Sequence, residues 1–145
     1  MKGFSIAAVA ACLLVQAGCE SAPARDDELR AVPAERILAS PAVQSRSPAR
    51  IAFVRDAGGT HPHFWRISID GEVVAKIDKA EFVVLAVEPG QRQFRIDMDR
   101  DPPERDFRDI VEVTLAPGVN QVYRIGSTFE SKIQLTRDPL AKMPR

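Results

Sequence analysis

From Arg50 onward, apolar and polar residues alternate in short runs separated by turn signals, and this alternation restricts the chain to strands. A period of two puts every second side chain on one face, so each run has a buried half and a wetted half. Ile51 and Phe53 alternate with Arg50 and Ala52, and Trp65, Ile67 and Ile69 alternate with Arg66, Ser68 and Asp70. Asp70-Gly71 follows at once, and both residue types tolerate the positive φ of a primed hairpin turn. Val73, Ala75 and Ile77 make the return run. Residues 80–87 are almost continuously apolar, as in a strand covered on both faces. Glu88-Pro89-Gly90 closes that run with Pro and Gly in type II order. Phe94, Ile96 and Met98 come next, then Val111, Val113 and Leu115, the Pro117-Gly118 turn, Tyr123 with Ile125, and Ile133 with Leu135. The pattern predicts an all-β domain over residues 50–145, a small antiparallel sandwich of about seven strands. Residues 100–106, with Pro102 and Pro103, read as a loop.

The first 18 residues have another character. Lys2 supplies a positive charge, residues 4–15 are apolar, and the small residues Ala17 and Gly18 stand before Cys19. These are the parts of a secretory signal peptide, too short to be retained as a membrane span. Glu20, Arg25, Asp26, Asp27 and Glu28 forbid its extension. The stretch Leu13-Leu14-Val15-Gln16-Ala17-Gly18-Cys19 resembles the bacterial lipobox, with Gln16 where an aliphatic residue is more usual. Val9-Ala10-Ala11-Cys12 fits the box too, but a cut there leaves a short apolar core and exposes Leu13, Leu14 and Val15. The resemblance implies a lipid on Cys19 that anchors the protein in the cell envelope, facing the periplasm. Glu20 stands where aspartate would signal inner-membrane retention, so the outer membrane is slightly favoured.

With the leader removed, Cys12 goes too, and Cys19 has no partner for an intramolecular disulfide. The domain must therefore be stable through its own core, and about 95 residues suffice. The full chain balances 20 basic against 20 acidic residues. Such interspersed charge gives no electrostatic case for nucleic-acid binding. Residues 19–49 read as the lipidated cysteine and a flexible tether. The segment is rich in Ala, Pro, Ser and Arg, and Pro33 interrupts its one short helical stretch.

The order of these features has a family look. Ile51-Ala52-Phe53-Val54-Arg55 leads to Ile67-Ser68-Ile69-Asp70-Gly71-Glu72-Val73, then to Val87-Glu88-Pro89-Gly90 and to Pro117-Gly118-Val119-Asn120-Gln121-Val122-Tyr123. It resembles a group of small bacterial envelope lipoproteins known only as a domain of unknown function. It is also similar to PEGA repeats and to transthyretin-like carboxypeptidase-regulatory sandwiches. The resemblance implies a Greek-key sandwich of transthyretin or immunoglobulin type, and no catalytic residues to carry over.

Candidate chemistry is sparse. His61-Pro62-His63, beside Phe64 on a Gly-rich loop, could contribute to a ligand or metal site, but a zinc site needs further protein ligands. Asp97-Met98-Asp99-Arg100-Asp101 opens like a calcium loop and then fails, with Pro102 where glycine is needed and Arg108 where a bidentate glutamate is needed. Ser68, Ser127 and Ser131 lie in no nucleophile elbow. The expectation is a membrane-tethered, non-enzymatic binding or structural module, without cofactor or metal, that meets the membrane through Cys19 and an envelope protein as a possible partner. The alternative is a small-ligand or metal carrier using His61, His63 and Phe64.

Overall fold

Nine strands form two sheets in a computed structural model that describes residues 23–58, 62–100, 107–128 and 132–145. They are β1 (Arg30–Ala31), β2 (Ala49–Arg55), β3 (Trp65–Ile69), β4 (Glu72–Ile77), β5 (Glu81–Val87), β6 (Gly90–Met98), β7 (Arg108–Leu115), β8 (Asn120–Ser127) and β9 (Ile133–Asp138). One sheet has the order β1-β5-β2-β8-β9 and the other β4-β3-β6-β7. The two pack face to face, which makes the all-β sandwich expected from the alternation. Among the described residues the single helical element is a 3₁₀ turn at Ala34–Arg36.

Two details differ from the sequence expectation. The described residues form nine strands instead of about seven, because β1 lies where a tether was expected and the last two runs are each complete strands. The pairing is also mixed. β2 runs parallel to β8, and β1 parallel to β5, while the other pairs are antiparallel. Local alternation sets which face a strand buries and is silent on the direction of its neighbour.

The turns behave as their residues require. Asp70 (φ 50°) and Gly71 (φ 89°) both have positive φ, joining β3 to β4 in the primed geometry. Gly90 (φ 106°) and Gly118 (φ 69°) take the left-handed positions of the two Pro-Gly turns.

Between the sheets lie Ile51 and Phe53 of β2, Ile67 of β3, Phe94 and Ile96 of β6, and Tyr123 and Ile125 of β8, all buried. The Phe94 ring meets Phe53 and Tyr123 edge-on, with both centroid distances 5.2 Å. Tyr123 Oη donates to Gln121 Oε1 (2.8 Å), so the one polar group of this trio is satisfied. Trp65 is buried, as its alternating position implied.

The largest departure is the segment before β2. Its described part, from Pro23 on, lies against the sandwich instead of hanging free. Arg30 N–H donates to Ala80 O and Val32 N–H to Phe82 O, which brings β1 to the edge of β5. The chain then crosses the side of the sandwich. Ile37 bridges to Ala75, and Leu38 N–H donates to Val74 O, covering the edge of β4. Farther on, Glu88 accepts from the backbone N–H groups of Gln44 (2.8 Å) and Ser45 (3.0 Å). Both open edges on this side are thereby closed, a recognised protection against edge-to-edge association.

Candidate functional site

Of the residues singled out from sequence, Cys12, Cys19, Glu20, His61, Asp101, Pro102, Pro103 and Ser131 lie outside the described residues. His63 and Phe64 sit together at one end of the sandwich, just before β3, and both are exposed. What engages His63 is its carbonyl, which accepts from Arg55 Nη1 (2.9 Å). The Phe64 ring, 40% exposed, lies under the Arg36 guanidinium at 4.8 Å. Asp97 and Asp99 of the calcium-like stretch are taken up by cations. Asp97 is buried and accepts from Arg66 Nε and Arg95 Nε, both at 2.7 Å, and Asp99 pairs with Lys76 Nζ at 2.7 Å. Among the described residues, no group of three or more His, Cys, Asp or Glu is placed to hold a metal ion.

Beside His63 and Phe64 lies a cluster that no local motif announces. Arg55 ends β2 pointing between the sheets and is 2% exposed. Its guanidinium stacks on the Trp65 ring (4.1 Å) and donates to Ile77 O (3.1 Å), with the Asp78 carboxylate 3.8 Å away. Burial pushes the arginine down to about 10, while Asp78 and Glu81 oppose that shift, so it stays charged at neutral pH. Glu81, at the start of β5, accepts from Arg36 Nη1 (2.7 Å) and Nη2 (2.5 Å) and from the Asp78 N–H (2.8 Å). Two arginines and two carboxylates thus balance, with Arg55 and Glu81 buried and Arg36 and Asp78 at the solvent side. Ala80, immediately before Glu81, holds a left-handed φ of 53° that costs a non-glycine residue about 1 kcal/mol or more. That strain sits at the residue aiming Glu81 at Arg36. The charged groups of the cluster pair with one another.

A second feature occupies the outer face of the five-stranded sheet. Ala52, Val54, Phe82 and Val122 form an apolar patch there, covered by Leu29 from the N-terminal segment and by Ala141 and Met143 from the C-terminal tail. Between the two coverings a groove of about 660 Å³ remains, lined by Asp26, Leu29, Arg50, Phe82, Lys142, Met143, Pro144 and Arg145. At the far end of this face, Arg124 bonds both Asp56 (3.2 Å) and Asp138 (2.8 Å), and the Ala24 N–H donates to Asp56. Burial raises the Asp56 carboxyl, with Arg124 opposing the shift.

No protein-family model matches the chain, and no curated protein matches it.

Asp138 fixes the start of the tail by accepting from Leu140 N (3.1 Å) and Ala141 N (3.0 Å). The Arg124 hydrogen bond holds its carboxyl below the usual aspartate range. A depressed folded-state value means that the stabilisation is present above the ordinary aspartate value, near ~3.9, and is lost as pH falls through the folded one. We expect amide protection at Leu140 and Ala141 to drop in that acid window and Asp138→Asn to abolish the pH dependence. A protection profile indifferent to pH in the parent protein would contradict this.

Sequence reasoning missed the buried arginine, the docked segment and the groove. Arg55 follows the inward-facing Phe53 by two positions, and that spacing is the signal that would have placed it inside. The docked segment had a weaker signal in Leu29, Val32, Ile37 and Leu38, apolar residues diluted by the surrounding Pro, Ala and Arg. No helix among the described residues is long and apolar enough to cross a membrane.

Proposed function

We propose that this protein is a lipid-anchored component of a bacterial cell envelope, exposed to the periplasm, in which a β-sandwich serves as a non-enzymatic binding or structural module. The anchor is Cys19, freed at the amino terminus by removal of residues 1–18, and the outer membrane is the favoured location because Glu20 follows it. The resemblance to small envelope lipoproteins with PEGA-like or transthyretin-like sandwiches belongs to the same reading.

The observation that best supports it is how soon after Cys19 the chain meets the folded body. Ala24 is already buried against the sandwich. Four peptide units separate Cys19 from Pro23, a span of at most ~14 Å. A body held so close to its attachment point keeps one side turned to the bilayer, which suits a module working at the membrane surface. The chemistry of the end cluster fits the same role, since its charges are spent on one another.

The test is fractionation in a native host. Wild-type protein is expected in the membrane pellet and Cys19→Ser in the soluble periplasmic fraction, with mass spectrometry finding acyl chains on the wild-type cysteine alone. Recovery of Cys19→Ser with the membranes would remove lipid as the anchor.

A further inference from the structure

The groove on the outer face of the five-stranded sheet combines two kinds of lining. Its floor is apolar, from Leu29, Phe82 and Met143, and its rim carries the side-chain cations of Arg50, Lys142 and Arg145 beside the Asp26 carboxylate. That pairing of cations over hydrocarbon suits an amphiphile with a negative head. Leu140 belongs to the same tail and is 91% exposed. It is not a frayed end, because Asp138 fixes its backbone N–H and that of Ala141. An apolar side chain held outward in this way gains by entering a membrane interface.

Covalent geometry supplies the location. Asp26, on the groove rim, is seven residues from Cys19, so the groove cannot lie more than about 25 Å from the anchored atom. We propose that the groove and Leu140 form the bilayer-facing surface of the protein, and that the groove takes the headgroup of an anionic phospholipid. Arg50, Lys142 and Arg145 meet the phosphate, the glycerol and first methylenes rest on Phe82 and Met143, and Leu140 enters the interface. The proposal rests on the anchor reading above for the nearness of a bilayer.

Secreted Cys19→Ser protein, floated with vesicles, tests the surface without the anchor. Partition onto vesicles of phosphatidylcholine plus phosphatidylglycerol is expected to exceed that onto phosphatidylcholine alone by at least about tenfold. Each basic residue near an anionic surface contributes roughly fivefold, so the Lys142→Glu/Arg145→Glu pair is expected to lose at least about tenfold. This background has no cysteine once the leader is gone, so Leu140→Cys accepts a single environment-sensitive fluorophore. Its emission is expected to rise with the anionic vesicles and to stay unchanged with glycerol phosphate alone. Equal partition onto both vesicle types, no partition onto either, an inert charge pair, or the same fluorescence response to glycerol phosphate overturns the proposal. None of these results depends on whether Cys19 is acylated in the host, which the fractionation decides separately.

Discussion

Replacing Glu81 with glutamine is expected to release the N-terminal segment from the sandwich while the two sheets stay folded. Glu81 is buried and accepts two hydrogen bonds from Arg36 and one from the backbone of Asp78. The amide keeps one acceptor oxygen but turns an N–H₂ group toward the guanidinium, and it removes a charge that balances both Arg36 and Arg55. Breaking one partner of a buried ion pair costs about 3–5 kcal/mol. Arg36 is partly exposed and can swing into water, so the lower end, about 3 kcal/mol, is expected here. The measurement is native-state hydrogen exchange at Arg30, Val32 and Leu38, whose N–H groups bond Ala80, Phe82 and Val74. Protection there should fall about a hundredfold, RT per e-fold being ~0.6 kcal/mol, while Ile67 and Ile96 in the sheets change less. The double change Arg36→Met with Glu81→Leu should recover most of the loss, since an apolar pair of similar volume replaces a buried ion pair at little cost. Unaltered protection at the three amides in Glu81→Gln would show that the ion pair does not hold the segment.

Phe94→Ala is expected to have the largest effect on the sandwich itself. The side chain is 0% exposed, and its ring reaches from the four-stranded sheet to meet Phe53 and Tyr123 of the five-stranded sheet by edge-on contacts. Truncating a buried phenylalanine costs about 3–5 kcal/mol through lost transfer energy and the cavity left behind. A domain of this size loses roughly 4–8 °C of melting temperature per kcal/mol, so a fall of at least about 12 °C is expected. Thermal unfolding followed by circular dichroism measures it. Ile110→Ala is the control, because that side chain is exposed on the outer face of β7 and should change stability by no more than ~0.5 kcal/mol. Similar losses for both variants would mean that the aromatic trio is not the centre of the core.

How much of this could be read beforehand depends on whether the signal was local. The Asp70-Gly71 hairpin and the two Pro-Gly turns were legible because each requires a backbone conformation that few residues adopt. The buried faces of β3 and β6 were legible from alternation alone. Residues 80–87 show where that logic stops. Their continuous apolar run implied cover on both faces, and Phe82 is indeed buried on the outer side, yet Ala86 is exposed. The cover comes from Leu29 and Met143, which are distant in sequence, so its extent could not be deduced from the run. The segment before β2 was obscured for a related reason. Its composition is that of a linker, and only pairing with β5 and β4, through Ala80, Phe82 and Val74, gives its few apolar residues somewhere to go. The end cluster was hidden because Arg36, Arg55 and Glu81 are brought together by topology, with no spacing that marks them.

The parallel partnership of β2 with β8 has a consequence for how the molecule is made. Arg50 faces Asn120 and Arg55 faces Ile125, partners about 70 residues apart in the chain. The middle of that sheet is therefore assembled late, after most of the polypeptide has emerged, and closure across so long a loop is slow. A newly made chain therefore keeps the apolar faces of both layers open to other partners until that closure.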